Sequence, residues 1–299
     1  EKNWPTSYGG RGGFYNAECT REIANNKNGF ILDFCKKYGV TYRTYGEFAD
    51  DYKPNIPVLQ NHYCPYYTSW DESVRDTTRF YQWKKDFDSL LAINKIPQLN
   101  TLRFINDHTE GLKLGTFTPS AHVADNDWAV GLFIDYLSKS KIWNQSAVFI
   151  VEDDAQNGPD HVDAHRSTLY LAGGMVKRNF VDHTMYSTSS VLRTIELILG
   201  LPPMSQYDAA ATPIWRSFSD KPNATPFNSQ PAQIDLNEKN TAMNEWQKKS
   251  EEFDFRAEDR VPDDEFNEVL WYSQKGEASI CPAPVHAAFF ASGNARDDD

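Results

Sequence analysis

The sequence predicts an α/β protein with a mainly parallel central sheet, and three observations support this fold class. From about Gly29 onward, segments with helical spacing of apolar residues alternate with short β-branched and aromatic runs, which is typical of βαβ units. The run Ala147 to Val151 has the length and composition of a buried parallel strand. Two of the predicted strands are followed by acidic and histidine residues, and open α/β sheets hold their ligands at the carboxyl ends of strands.

The first elements along the chain are a short helix and a strand. Apolar residues at i, i+1, i+4 and i+5 from Phe30 predict a helix that Gly39 ends. The next run, Val40 to Tyr45, has the composition of a strand. Residues 46–54 and 61–67 are aromatic and have no periodic pattern, so we expect irregular surface segments there.

A long helix, a strand and a second helix come next. Large apolar residues near helical spacing predict a helix from about Ser73 to Ile93. The run Leu99 to Ile105 predicts a strand, which ends in Asn-Asp-His-Thr (106–109). A further helix is expected from about Asp125 to Ser140, because its large apolar residues share one face.

The character of the sequence changes beyond Ser219. Before that point, the run Thr168 to Ala172 predicts another strand. The run Ser-Thr-Ser-Ser (187–190) predicts the start of a helix, and Gly200 and Pro202 predict its end. Residues 220–236 are rich in Pro, Asn and Ser, and two polar amphipathic helices are expected near 238–253 and 263–274. The sequence thus predicts a main domain over residues 1–219 and a wrapping, helical C-terminal extension over residues 220–299.

Composition excludes several classes of protein. The 299 residues carry a formal net charge of -12, which leaves no basic stripe for a nucleic-acid-binding surface. No apolar run approaches the roughly 18 residues that a transmembrane segment needs. The four cysteines (Cys19, Cys35, Cys64 and Cys281) have no CxxC spacing, so a zinc ribbon is not expected and at most two disulfides are possible.

The most informative stretch follows the strand at Ala147 to Val151. Glu152, Asp153 and Asp154 crowd at its carboxyl end, where consecutive carboxylates repel one another unless a cation offsets them. His161 and His165 follow within a dozen residues and supply nitrogen donors, and oxygen together with imidazole suits Zn, Mn or Fe better than Ca. The alternative is that Asp153-Asp154 is a solvated turn and that the two histidines lie on the exposed face of a short helix.

A second acidic and histidine pair, Asp107 and His108, follows the preceding predicted strand. In a parallel sheet both strand ends lie at the same edge, so we expect these groups to share one metal or a metal pair of the kind that assists phosphoryl displacement. Taken alone, an Asp-His pair is also compatible with a helix cap or a turn. Arg166 presents a planar fork that suits a phosphate, or else a plain salt bridge.

Several motifs resemble those of a known family. NDHT (106–109), VADND (123–127), VEDDAQNGPDHVDAHR (151–166) and LRTIELILGLPPM (192–204) are similar to the bacterial phosphoesterase family. This family includes the phospholipase C-type and acid phosphatase-type enzymes of the alkaline phosphatase superfamily. The resemblance covers roughly Trp4 to Arg260, and the run from Asp153 to Val162 is its most specific piece.

The resemblance implies an alkaline-phosphatase-like three-layer α/β/α sandwich that binds one or two metals. Asp153 and Asp154 match the tandem acidic pair of the superfamily, Asp107 its middle Asp, and His161 or His165 its last His. Two departures stand out. Gly111 occupies the place of the His in the superfamily's Asp-x-x-x-His motif, and the first strand with the Ser or Thr nucleophile is expected upstream of Glu1. Residues 1–219 would then be the C-terminal two-thirds of a catalytic domain, inactive without that upstream part.

The sequence therefore predicts a metal-dependent hydrolase of phosphate esters, in a periplasmic or secreted location. We expect one or two divalent ions (Zn, Mn or Fe) and a substrate that is a small phosphorylated molecule or a phospholipid head group. The alternative is a secreted carbohydrate- or lipid-handling binding module with a structural cation site. The expected metal ligands are Asp107, His108, Asp153, Asp154 and His161, and the expected catalytic residues are His165 and Arg166.

Overall fold

A computed structural model describes residue 19 and residues 25–50, 52–153, 158–160, 162–256 and 260–285 of the chain. Two expected ligands, Asp154 and His161, lie outside the described residues. Within them the fold is mixed α/β. The helices are α1 (Ile31–Tyr38), α2 (Asp76–Ala92), α3 (Pro119–Ser138), α4 (Thr188–Leu199), α5 (Gln206–Ala210), α6 (Glu245–Glu251) and α7 (Asp263–Lys275). The strands are β1 (Tyr42–Tyr45), β2 (Ala49–Asp50), β3 (Lys53–Pro54), β4 (Leu99–Leu102), β5 (Ala147–Val151) and β6 (Leu169–Gly173).

The described strands form three separate pairs. Strands β1 and β4 are parallel, with Tyr42 opposite Leu99. Strands β5 and β6 are antiparallel, with Ala147 opposite Gly173, and β2 and β3 form a short hairpin. The antiparallel β5–β6 pair therefore contradicts the expectation of a mainly parallel sheet. Parallel neighbours need a crossover, usually a helix, and the described residues between β5 and β6 form none.

Two helices differ from their predicted bounds for local reasons. Helix α3 begins at Pro119, because Thr118 caps it by accepting a hydrogen bond from the Ala121 amide and proline suits the first helical position. His122 therefore lies inside the helix. Helix α6 begins only after Asn244, whose side chain accepts from the Gln247 amide. The segment 46–54, expected to be irregular, contains the β2–β3 hairpin.

Aromatic side chains dominate the largest hydrophobic cluster. Phe80, Trp83 and Phe87 of α2 pack with Trp143 and with apolar residues of α3 and β6. A second cluster joins α1 and β1 to Leu201 beyond the end of α4. A third, built on Phe255, Val261 and Phe266, lies in the C-terminal segment. Among the described residues, no helix is both long and apolar enough to cross a membrane.

The C-terminal segment is attached to the loop that follows β4. The Asn240 amide donates to the Thr116 carbonyl, and the Asn240 carbonyl accepts from the Gly115 amide. The side-chain Nδ2 of Asn240 lies 3.0–3.2 Å from four oxygens, namely Gly111 O, Lys113 O, Thr116 Oγ1 and Phe117 O. This one side chain thus fixes the loop between β4 and α3 against the C-terminal segment.

Candidate functional site

Acidic side chains from two strand ends come together beyond β4 and β5. Asp107 lies in a 3-10 turn, Asn106–His108, just after β4, and Glu152 and Asp153 directly follow β5. The carboxyls of Asp107 and Glu152 are close enough to share a hydrogen bond, and the charge of Asp153 also acts on Asp107. Burial, reinforced by these carboxylates, raises the pKa of Asp107 to about 8. Such crowding requires either a bound proton or a cation.

An amide from α3 fixes the orientation of Asp107. The Nδ2 of Asn126 donates to Asp107 Oδ1 at 2.8 Å and to Asp76 Oδ2 at 3.0 Å. Asp76 also accepts from the backbone amides of Ile105 and Asn106. The turn that carries Asp107 is therefore held from both its backbone and its side chain.

Arg79 lies at the centre of the buried hydrogen-bond network beneath this turn. Its guanidinium is fully buried and lies 3.0 Å from Asp76 Oδ1. Burial raises the pKa of Asp76 to about 6, although the Arg79 charge opposes that rise. The remaining hydrogen bonds of Arg79 go to Thr68 O, Ser69 O, Asp71 O, Val74 O and Asn106 Oδ1.

The same arginine fixes the tautomer of a buried histidine, His122. Arg79 can only donate, so the Asn106 atom that faces it must be the amide oxygen, at 2.9 Å. The NH2 of Asn106 then donates to His122 Nδ1 at 3.1 Å. Burial lowers the pKa of His122 to about 4, so the ring is neutral and carries its proton on Nε2.

The Nε2–H of His122 is a buried donor. It has no hydrogen-bond partner among the described residues, and Glu110 Oε2 lies 4.0 Å away. Because Nδ1 already accepts from Asn106, a metal could bind at Nε2 only by displacing this proton. The arrangement therefore suits an oxygen acceptor, such as water, between His122 and Glu110.

His108 lies in an aromatic enclosure. Its Nδ1 is 2.7 Å from Glu72 Oε1 and 3.1 Å from the Thr109 carbonyl. The short approach to Glu72 is an ion-pair contact without hydrogen-bond geometry. Burial alone would lower the pKa of His108, but the Glu72 carboxylate outweighs it and raises the pKa above the ordinary value. Its ring also packs against Trp70, Phe255 and Phe266. Because Nδ1 contacts the Thr109 carbonyl and Glu72, a metal could bind this ring only at Nε2.

Both expected catalytic residues contact carboxylates of their own loop. His165 Nδ1 lies 2.8 Å from Asp163 Oδ1. Arg166 forms a two-pronged pair with Asp160, with Nη2 at 3.0 and 2.8 Å from the two carboxylate oxygens. His165 and Arg166 are both exposed, and a phosphate that binds Arg166 would have to compete with Asp160.

The sequence motifs gave no role at this site to several of its residues. Asn126 and His122 lie four residues apart on α3 and so share the face that meets the end of β4. Helical spacing could have indicated this shared face, but only with the correct start of α3. Glu72 and Asp76 precede or open α2, and no local pattern indicates that they become buried.

The described residues contain no group of three or more His, Cys, Asp or Glu side chains arranged to hold a metal ion. Asp107, Glu152 and Asp153 supply carboxylates near one another, while the expected ligands Asp154 and His161 lie outside that part of the chain. Neither a protein-family model nor a curated protein matches the sequence. The resemblance to the bacterial phosphoesterases therefore depends on the sequence motifs alone.

Proposed function

We propose that this chain is a metal-dependent hydrolase of phosphate esters, built on an alkaline-phosphatase-like three-layer α/β/α sandwich. The observation that carries the proposal is the contact between Asp107 and Glu152, with Asp153 beside them. These carboxylates come from two strand ends that are far apart in the sequence. Either a proton shared by Asp107 and Glu152 or a cation offsets this repulsion, and a cation would also offset the charge of Asp153.

Because the described residues contain no group of three ligands arranged for a metal ion, the proposed site depends on Asp154 and His161 as well. Asp107, Glu152 and Asp153 offer oxygen ligands, and the expected Asp154 and His161 would complete a mixed oxygen and nitrogen set that suits Zn, Mn or Fe. When bound, the metal would neutralise charge on the phosphoryl oxygens. Asn126 holds Asp107 in place for this role through its 2.8 Å hydrogen bond.

The loop after β5 supplies the groups proposed to meet the substrate. The guanidinium of Arg166 presents donors in one plane, which matches two oxygens of a phosphate. The substrate would replace Asp160, which now accepts hydrogen bonds from this guanidinium. His165 has its Nδ1 beside Asp163, which orients the ring and favours a proton transfer through Nε2. We expect a small phosphorylated molecule or a phospholipid head group as the substrate.

Metal content and hydrolysis, measured on the same preparations, test the proposal. We expect Asp153→Ala to retain far less Mn or Zn than the wild-type chain, because a charged ligand is removed. Asp220→Ala, which removes an exposed carboxylate from the C-terminal segment, should retain the metal. The assay compares p-nitrophenyl phosphate with its bis ester, using the chain with any upstream part of its natural protein. Equal metal retention in both variants, or metal retention without hydrolysis of either ester, would contradict the proposal.

A further inference from the structure

A second candidate site lies at the opposite end of β5 from the acidic cluster. A cavity of about 360 Å³ opens there, between the segment after β6 and the segment before residue 224. Its lining includes three cationic side chains, two of its neutral polar ones and one aromatic ring that the argument uses: Lys177, Arg178, Lys221, Ser219, Asn223 and Phe180. We propose that this cavity binds a phosphate group, at a site distinct from the carboxylates around Asp107.

Among the described residues, two of the cationic side chains of the cavity contact backbone carbonyls instead of carboxylates. Lys177 Nζ donates to the backbone carbonyl of Arg216 at 2.7 Å, and Arg178 donates to the backbone carbonyl of Thr225. Within the described part of the chain, neither these two side chains nor Lys221 forms an ion pair with a carboxylate. In a chain of net charge -12, three such cations around one cavity favour an anionic ligand.

Arg178 provides a second, independent observation. Its guanidinium packs on the ring of Phe227 at 4.1 Å, which fixes the plane of the group. Its Nε is buried and has no acceptor among the described residues. The stacked ring thus holds the guanidinium in one plane, and a planar guanidinium is the side chain that pairs best with an oxyanion.

The rim of the cavity supplies weaker donors and an apolar wall. Ser219 Oγ accepts from the Lys221 amide at 3.1 Å, which leaves its hydroxyl proton to donate. Asn223 Oδ1 accepts from the Thr225 amide at 3.0 Å, so its NH2 group faces away from that turn. Phe180, which lies 4.8 Å from Lys177 Nζ, could contact an organic group attached to the phosphate.

The antiparallel β5–β6 pair separates this cavity from the acidic cluster. Gly173 pairs with Ala147 at the start of β5, whereas Glu152 follows the end of β5 at Val151. Four residue steps along a strand span roughly 13 Å. The cavity therefore does not share ligands with Asp107, and binding there should not require a metal.

Phosphate binding by the metal-free chain tests this inference. The titration uses inorganic phosphate and, separately, phenyl phosphate, at low ionic strength with a chelator present. We expect saturable binding that Arg178→Gln and Lys221→Gln each weaken by about tenfold, as the loss of a charge-assisted hydrogen bond predicts. Tighter binding of phenyl phosphate would support a monoester as the ligand, and equal binding would support the bare oxyanion.

A control variant distinguishes the cavity from general electrostatics. Lys95→Gln removes one exposed positive charge elsewhere. This variant should bind phosphate as the wild-type chain does. No saturable binding by the wild type, or an equal loss in Lys95→Gln, would overturn the inference. Lys221 is exposed, so its variant keeps the test valid even if Arg178→Gln unfolds.

Discussion

Arg79 donates more hydrogen bonds than any other side chain in the buried network that supports the acidic site. Its buried guanidinium donates to six oxygens, among them Asp76 and the Asn106 amide that orients His122. Arg79→Met leaves the Asp76 carboxylate buried without a counter-charge. We expect a loss of about 3–5 kcal/mol in the free energy of unfolding, measured by urea denaturation.

The matched control for Arg79→Met is Arg256→Met. Arg256 pairs with Asp254 at the surface, and its side chain is largely exposed. We expect no measurable change in stability in this variant, because surface ion pairs contribute little. A similar loss in both variants would show that the buried network is no more important than a surface contact.

Glu196 and Asp208 form a buried pair of carboxyl groups. Burial, together with the adjacent Asp208 carboxylate, raises the pKa of Glu196 to about 7. Between its unfolded pKa near 4.5 and about 7, folded Glu196 holds a proton that the unfolded chain has lost. This contribution to stability is present at low pH and is lost as the pH rises through that window. The pKa of Asp208 is lowered to about 2, which is outside this window. Burial alone would raise it, but hydrogen bonds, first among them the one from Glu196, outweigh burial.

Glu196→Gln should remove this pH dependence. We expect the free energy of unfolding of the wild type, relative to the variant, to fall by about 1 kcal/mol per pH unit between pH 5 and 7. Urea denaturation at several pH values measures the difference. Glu245→Gln, at an exposed pair with Lys248, should follow the wild type. Parallel curves for wild type and Glu196→Gln would rule out the raised pKa.

At the level of elements, local sequence determined some bounds and not others. Strand β5 begins and ends where the sequence predicts, at Ala147 and Val151, because a run of β-branched and aromatic residues is bounded by polar ones. Helix α4 ends at Gly200, whose backbone is left-handed with φ 72°, as a glycine stop signal predicts. The start of α3 was missed, because the Thr118 cap, not the apolar face, fixes it.

The direction of β6 and much of the site could not be read from sequence. Composition identifies a strand but not its partner, so the antiparallel β5–β6 pair was unexpected. The carboxylates after β4 and β5 were predicted to lie close together. The charge of Asp153 does contribute to the raised pKa of Asp107. The roles of Asn126 and His122 depend on packing between α3 and the end of β4, which no short motif encodes. The ligand roles of Asp154 and His161 stay predictions.

Asn240 joins the C-terminal segment to the loop before α3. Asn240→Ala removes the donors that four oxygens share, and should cost about 1–3 kcal/mol in the free energy of unfolding. Asn240→Asp should cost more, because it places a carboxylate among four acceptors. Chemical denaturation measures both, with Asn228→Ala and Asn228→Asp as exposed controls. Equal stability of Asn240→Asp and Asn240→Ala would contradict the donor role.

At the level of the whole molecule, opposite charges occupy opposite ends of β5. Asp107, Glu152 and Asp153 lie beyond its carboxyl end, while the cationic cavity follows the part of β6 that pairs with its amino end. The net charge of -12 does not reveal this separation, because it arises from strand pairing. The two proposed ligands match this separation, with a metal cation at the acidic end and a phosphate group at the cationic end.

Carboxylates from the ends of β4 and β5 are proposed to bind one and the same divalent ion. Mn²⁺ affinity in a double-mutant cycle of Asp107→Asn and Glu152→Gln tests this shared binding, with Asp220→Asn as the exposed control. We expect each single variant to weaken binding by about tenfold or more, and the double variant to lose much less than the sum of the two free energies. Unchanged Mn²⁺ affinity in Asp107→Asn, or strictly additive losses, would contradict a shared metal.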